Sequence, residues 1–340
     1  MKSVSVYDSV GMVLCQDITK IVPGEFKGAL FKKGHVITKE DIPQLLSVGK
    51  EHIYVWETNS DDVHENDAAL AIAEAICGEN VLYDKEPTEG KSGLYAASRG
   101  LLCVDKKQLL RLNMIEFVTV ATLPNYYIVE KGDKLGGARV VPLVVSKSVI
   151  DEVQAKCQER PALTVLPYQK LKCGVVTTGG EVYSGLIQDK FGPVMKAKVD
   201  FYGGEYLGQT LCPDNQQMIT QAILDFKNKG ADLVIMTGGM SVDPDDLTPA
   251  AIKATGAKVI TYGAPVQPGN MFMLAYLKNT VLVGVPGCAM FFHTTALDAV
   301  LPRIFVGQKL KKSDFAAMGA GGFCRSCENC SYPKCYFCRG

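Results

Sequence analysis

The chain has 340 residues, 47% apolar and 21% charged, and its 36 Lys+Arg balance 36 Asp+Glu to a formal net charge of zero. This composition supports a folded core and excludes a globally disordered chain, and the charge balance disfavours a strong non-specific nucleic-acid binder, which needs a basic excess. Apolar runs fall short of the roughly 18–20 residues of a spanning helix, and the opening segment has Asp8 and no apolar stretch like that of a signal peptide. A soluble, cytoplasmic protein with no membrane or nucleic-acid partner is therefore expected.

Residues 1–60 read as a small N-terminal α+β segment. Strands are expected at 4–6, 11–14 and 31–37. A helix should start near Thr38, where Asp41 stands three residues on in a capping-box arrangement, and end at Gly49. Residues 52–56 read as a further strand. The polar, acidic stretch 58–67 suits a linker or a helix lead-in, and residues 61–168 read as a β-rich middle domain. Its expected helices lie at 68–77, 106–112 and 149–157, and its strands at 100–104, 117–121, 126–129 and 139–145.

From Lys172 the pattern becomes an α/β alternation. The strand 173–177 runs into Thr178-Gly179-Gly180, and a helix is expected near Gly192-Pro193. A weaker strand covers 205–211. Asp214 can cap a helix reaching Lys229, with Gly230 as its stop. The strand 232–236 runs into Thr237-Gly238-Gly239. A helix at 248–254, strands at 258–262 and 280–285, the turn Pro286-Gly287 and a helix from 288 to about 301 complete the unit. Such alternation implies a three-layer, mostly parallel sheet, with ligands beyond the carboxyl ends of the strands. Three glycine-containing turns following three strands thus predict one crevice.

Residues 236–250 (MTGGMSVDPDDLTPA) are the sharpest segment. Paired glycines let the backbone approach a ligand, and its N–H groups can hold an anion. Ser241 offers a hydroxyl, and Asp243, Asp245 and Asp246 offer carboxylates suited to Mg2+ beside a phosphate. The same residues also suit a tight turn and a helix cap. His293, alone in a predicted helix, reads as packed or surface-lying rather than catalytic.

Twelve cysteines are unevenly placed. Seven are scattered from Cys15 to Cys288 and suit buried thiols. The other five, Cys324, Cys327, Cys330, Cys335 and Cys338, form a Cx2Cx2Cx4Cx2C tail fitted to Zn2+ or an iron–sulfur cluster, with free thiols as the alternative. Glycines at 319, 321 and 322 precede them, so residues 309–340 read as a flexible Cys-rich tail.

Residues 236–250 resemble the signature of molybdopterin-binding domains, in which an Asp follows the second Gly by about seven positions; Asp246 stands there relative to Gly239. Other segments resemble the family in the same order. Thr178-Gly179-Gly180-Glu181 is similar to a Thr-Gly-Asp-Glu turn, and Asp189-Lys190-Phe191-Gly192-Pro193 to an Asp-x-Ser-Gly-Pro turn. Pro268-Gly269-Asn270 and Pro286-Gly287-Cys288 are similar to Pro-Gly-Lys and Pro-Gly-Asn turns. Residues 31–55 resemble part of the molybdenumtransferases, although their Ser-x-x-Asp-Gly motif has no counterpart near 25–28.

The resemblance implies a divergent molybdopterin molybdenumtransferase-like protein of molybdenum cofactor biosynthesis. Its domain 169–308 would bind molybdopterin, or the adenylylated form, and promote metal insertion from molybdate with Mg2+. On this reading Asp246 and Asp189 are the catalytic carboxylates. Thr178, Gly179, Gly180, Glu181, Thr237, Gly238, Gly239, Ser241, Pro268, Gly269, Pro286 and Gly287 hold the ligand. A homodimer is implied. The alternative is a non-catalytic carrier or sensor that delivers the cofactor to a molybdoenzyme.

Overall fold

The computed structural model describes residues 2–55 and 61–339. They fall into two units. One comprises Met1–Tyr95, Asp105–Thr122 and Lys134–Ala162; the other comprises Ala96–Val104, Leu123–Asp133 and Leu163–Gly340.

In the first unit, strand Lys2–Ser5 pairs antiparallel with His52–Val55 over a small core of Val6, Leu14, Ile18, Ile37, Leu45 and Ile53. The expected strand at 11–14 is reduced to two isolated bridges, Val13 to Val36 and Leu14 to Val55. The expected strand at 31–37 is displaced. Phe26–Phe31 forms a hairpin with Ile18–Val22 instead, closed through Pro23-Gly24. Both arms are largely exposed, so no apolar alternation marks them. The Thr38 N–H and hydroxyl both donate to Asp41 Oδ2 at 2.9 Å, and helix Asp41–Ser47 follows. Trp56 and the linker positions 58–60 lie outside the described residues. The four-stranded sheet runs Val81–Tyr83, Lys91–Ala96, Lys134–Val140, Val118–Thr122. The expected strand at 139–145 is split, because Pro142 cannot donate to a ladder. The helices are Glu65–Ile76, Lys106–Asn113 and Lys147–Cys157.

The second unit holds a three-stranded sheet, in the order Tyr127–Val129, Gly100–Val104, Leu163–Pro167, and the α/β domain. The domain's elements are β1 (Lys172–Thr178), α1 (Phe191–Phe201), β2 (Glu205–Cys212), α2 (Gln216–Asn228), β3 (Leu233–Thr237), α3 (Thr248–Ala254), β4 (Lys258–Tyr262), β5 (Met273–Leu277), β6 (Thr280–Val285), α4 (Ala296–Phe305) and α5 (Lys312–Ala317). The sheet order is β2-β1-β3-β6-β5-β4. β2, β1, β3 and β6 run parallel, β5 is antiparallel to β6, and β4, antiparallel to β5, returns to the common direction.

Strand residues alternate between two cores, as pleating requires. Val175, Ile235, Val283 and Leu274 face Met195, Val199, Leu297, Val300 and Leu301. Val176, Val234, Met236, Leu282 and Met273 face Ile219, Ile223, Phe226 and Ile252. Helices therefore cover both faces, and the three-layer, mostly parallel α/β expectation holds. β5 is missed from sequence because its continuous apolar run lacks a period, and a two-residue Lys278-Asn279 turn returns it to β6. The expected helix from 288 breaks into a short turn, Gly287–Met290, and α4, which starts at a capping box between Thr295 and Asp298.

The tail expected to be flexible is packed against this unit. Phe315 and Phe337 are buried in the first of the two cores. Arg303 of α4 is 6% exposed and donates to Asp314 of α5 at 2.6 Å. Burial alone would raise the Asp314 carboxyl, but the Arg303 hydrogen bond and the Lys311 N–H hold it below its ordinary 3.8. Its stabilising contribution is therefore complete above about pH 4 and is lost as pH falls through the lower, folded-state value. Asp314→Asn should flatten this acid limb in denaturation curves taken across pH. Near neutrality it should cost about 2 kcal/mol, less than a fully buried pair because Asp314 keeps partial solvent contact.

Candidate functional site

Parallel register brings the glycine turns to one edge. Thr177 of β1 pairs with Thr237 of β3, and Thr237 with Val285 of β6, so all three strands end level. The turn after β2 joins them, because Thr178 pairs with Cys212. A cavity of about 710 Å³ lies beyond this edge, within the ~300–1,000 Å³ range of small-molecule sites.

Buried threonines support its floor. The Thr177 and Thr237 hydroxyls lie 2.9 Å apart, and Thr248 Oγ1 donates to the Gly238 carbonyl at 2.9 Å. Gly238 has φ +83, and a Cβ on it would sit 2.2 Å from the Thr178 carbonyl oxygen. The first two turns can thus touch only because this residue lacks a side chain. Gly179, at φ +143, likewise adopts a conformation that L residues rarely accept.

Five carboxylates line the cavity: Glu181, Asp214, Asp243, Asp245 and Asp246. Lys190 is the one cation among the described residues lining it. Asp246 Oδ2 accepts the Asp243 N–H at 3.0 Å, and the Asp246 N–H donates back to the Asp243 carbonyl at 3.0 Å. This closed turn holds the Asp246 carboxylate at the mouth. Asp214 is expected to cap α2, but Asn215 takes that place, its side chain accepting the Met218 N–H. Asp214 instead accepts the Gly180 N–H at 2.9 Å and joins the wall.

Thr178, Gly179, Glu181, Gly238, Gly239 and Asp246 of the sequence-derived set line the cavity. Gly180 is tied to it through Asp214, and Thr237 lies beneath the floor. The other residues lie elsewhere. Asp189 Oδ1 accepts the Phe191 N–H, and its Oδ2 accepts Gly192 N–H and Gln209 Nε2, all within 2.8–2.9 Å. These bonds engage both carboxylate oxygens at the start of α1. Ser241 is exposed beside Val242. The Pro268 carbonyl accepts the Ala296 N–H at 3.1 Å, and Gly269 packs against Ala296. Pro286-Gly287 leads into the turn that contributes Met290 and Phe291 to the wall. Lys190, Asp214, Met290 and Phe291 are site residues that the sequence reading leaves out. Only Lys190, inside a recognised motif, carries a local signal. His293 is exposed.

Among the described residues, no three His, Cys, Asp or Glu side chains are disposed to hold one metal ion. That applies both to the carboxylates and to the five tail cysteines, which are all free thiols. No helix among the described residues is long and apolar enough to cross a membrane.

Residues 174–305 match a family described as a probable molybdopterin binding domain, and residues 3–57 match a domain of unknown function. The chain is 30% identical over 196 residues to a molybdopterin molybdenumtransferase of Haemophilus influenzae, covering 53% of this chain and 45% of that protein. It is 33% identical over 81 residues to a CinA-like protein of Mycobacterium sp., covering 24% of this chain and 19% of that one. The matched region thus spans less than half the length of either relative. Among solved structures, the tungsten cofactor synthesizing protein MoaB from Pyrococcus furiosus aligns at 21% identity and a TM-score of 0.35, over 40% of this chain and 94% of that one.

Proposed function

We propose, from the match of residues 174–305 to a family described as a probable molybdopterin binding domain, that this chain is a protein of molybdenum cofactor biosynthesis and binds molybdopterin, or its adenylylated form, in the cavity at the end of the parallel strands. The ring of five carboxylates around a glycine-lined anion cradle supports this reading most. One ammonium against five carboxylates would repel a phosphate, whereas a divalent cation held between one or two of them and the phosphate would offset that repulsion where the two meet.

The donor set fits Mg2+. That ion is held by one or two carboxylates plus substrate phosphate and water, so three converging protein ligands are not required. Asp246 would hold it, with Asp243 or Asp245 beside it, and the bound ion would supply charge neutralisation at the phosphate. The Gly179 and Gly238-Gly239 turns seat the anion, Asp214 fixes the Gly180 backbone, Lys190 adds the single positive charge, and Met290 and Phe291 offer an apolar wall to the pterin. Asp189 positions the start of α1. Domain 169–308 carries the binding, with 1–60, 61–168 and the tail as accessory parts of a cytoplasmic homodimer that promotes metal insertion from molybdate.

Incubating the chain with adenylylated molybdopterin, molybdate and Mg2+ tests the transferase part. Conversion that disappears in Asp246→Asn is expected. Tight binding without conversion would favour the carrier alternative.

A further inference from the structure

The five cysteines from 324 to 338 stand outside the cavity. Cys324, Cys335 and Cys338 are partly buried against one core cluster, while Cys327 and Cys330 are exposed. Between Cys324 and Arg339 the chain has only turns and bends. Such a segment has no strand or helix of its own and Phe337 as its one buried large apolar side chain, and a metal or disulfides usually add to the ordering of a segment of that kind. Its spacing, Cx2Cx2C followed by Cx2C, lets paired sulfurs reach one ion. The first loop has a matching local feature. Ser326 adopts φ +50, and its N–H points at Cys324 Sγ from 3.4 Å, where it would stabilise a thiolate.

The tail is also tied to the 267–269 segment and to residues that follow Met290 and Phe291 of the cavity wall. Cys324 N–H donates to the Gln267 carbonyl and Gln267 N–H to the Gly322 carbonyl, both at 2.8 Å, directly before the Pro268-Gly269 turn. Cys330 Sγ lies 3.4 Å from Thr294 Oγ1, and the Tyr332 hydroxyl donates to the Asp298 carbonyl at 2.7 Å. Thr294 follows Phe291 of the cavity wall by three residues, and Asp298 lies in the first turn of α4. At the far end, the Arg339 guanidinium donates to the Tyr126 and Pro333 carbonyls.

We propose that four of these five cysteines form a thiolate site for a thiophilic metal, Zn2+ or an iron–sulfur cluster, and that the loaded tail braces the 267–269 and 290–298 segments. Loading draws Cys327, Cys330 or both in from solvent towards the partly buried three. For Zn2+, four S–H bonds release their protons to water and four zinc–sulfur bonds form, with no change of oxidation state. An iron–sulfur cluster would arrive preassembled by ligand exchange, the tail thiols losing their protons as the departing thiolates of its carrier take them up, with no change of oxidation state. The bracing is read on the backbone itself, so it stands or falls separately from pterin binding.

The test is plasma mass spectrometry for zinc and iron on the anaerobically purified full chain, followed by hydrogen–deuterium exchange before and after chelator treatment. Near-stoichiometric zinc, or iron with visible absorption that bleaches with dithionite, is expected. Cys324→Ser and Cys335→Ser should each lower metal content at least about tenfold, while Cys77→Ser keeps it. Stripping the metal should speed exchange at 267–269 and 290–298 by about tenfold or more. A chain that carries neither metal and takes up added Zn2+ no better than Cys324→Ser overturns the site. Unchanged exchange after stripping overturns the brace.

Discussion

Asp246→Asn is expected to weaken Mg2+-dependent uptake of a pterin phosphate by about tenfold or more, and to strengthen uptake of the same ligand in EDTA. The opposite signs follow from the charge arrangement. With the cation present, the substitution removes a proposed direct ligand. Without it, the substitution removes one of the five charges that repel the phosphate, worth a few tenths of a kcal/mol to about 1 kcal/mol at such an open site. The side-chain oxygen of Asn can still accept the Asp243 N–H, so the turn should survive. Calorimetric titration of both proteins in both buffers measures this. Weakening of equal size in Mg2+ and in EDTA would assign Asp246 to loop geometry alone.

Gly238→Ala should be the most damaging single substitution at the site. Its φ of +83 costs an L residue about 1–2 kcal/mol. The added methyl would also meet the Thr178 carbonyl oxygen at 2.2 Å. Thr178 cannot yield easily, because its backbone is paired with Cys212 in the sheet. The combined loss is expected to exceed about 3 kcal/mol, with ligand uptake lost in whatever fraction still folds. Gly230→Ala separates the two costs. Its φ is +82, but nothing lies within 4 Å of its added Cβ. Equal denaturation midpoints for the two variants would mean that the approach of the two turns does not constrain position 238.

The α/β domain is legible in the sequence because its strands are short, apolar and punctuated by glycine turns, which puts Thr178-Gly179-Gly180 and Thr237-Gly238-Gly239 at strand ends. Level strand ends then bring them together. Asp214 is legible only as a helix cap, because its bond to Gly180 spans 34 residues and exists only once β1 and β2 are paired. Met290 and Phe291 look like helix interior, but the helix breaks there and turns them into the wall. The 18–31 hairpin lacks an apolar face to give it a period. The packed tail is illegible for another reason. Phe337 and Arg339 hold it through residues far away in sequence, and its glycines suggest only freedom.

The most direct measurement is a titration of the full-length wild-type chain with molybdopterin, run once with Mg2+ and once with EDTA. Saturable uptake at one site, clearly tighter with Mg2+, is the expected result. No uptake in either buffer, or uptake indifferent to the cation, would show that the acid-rimmed cavity does not seat this phosphate.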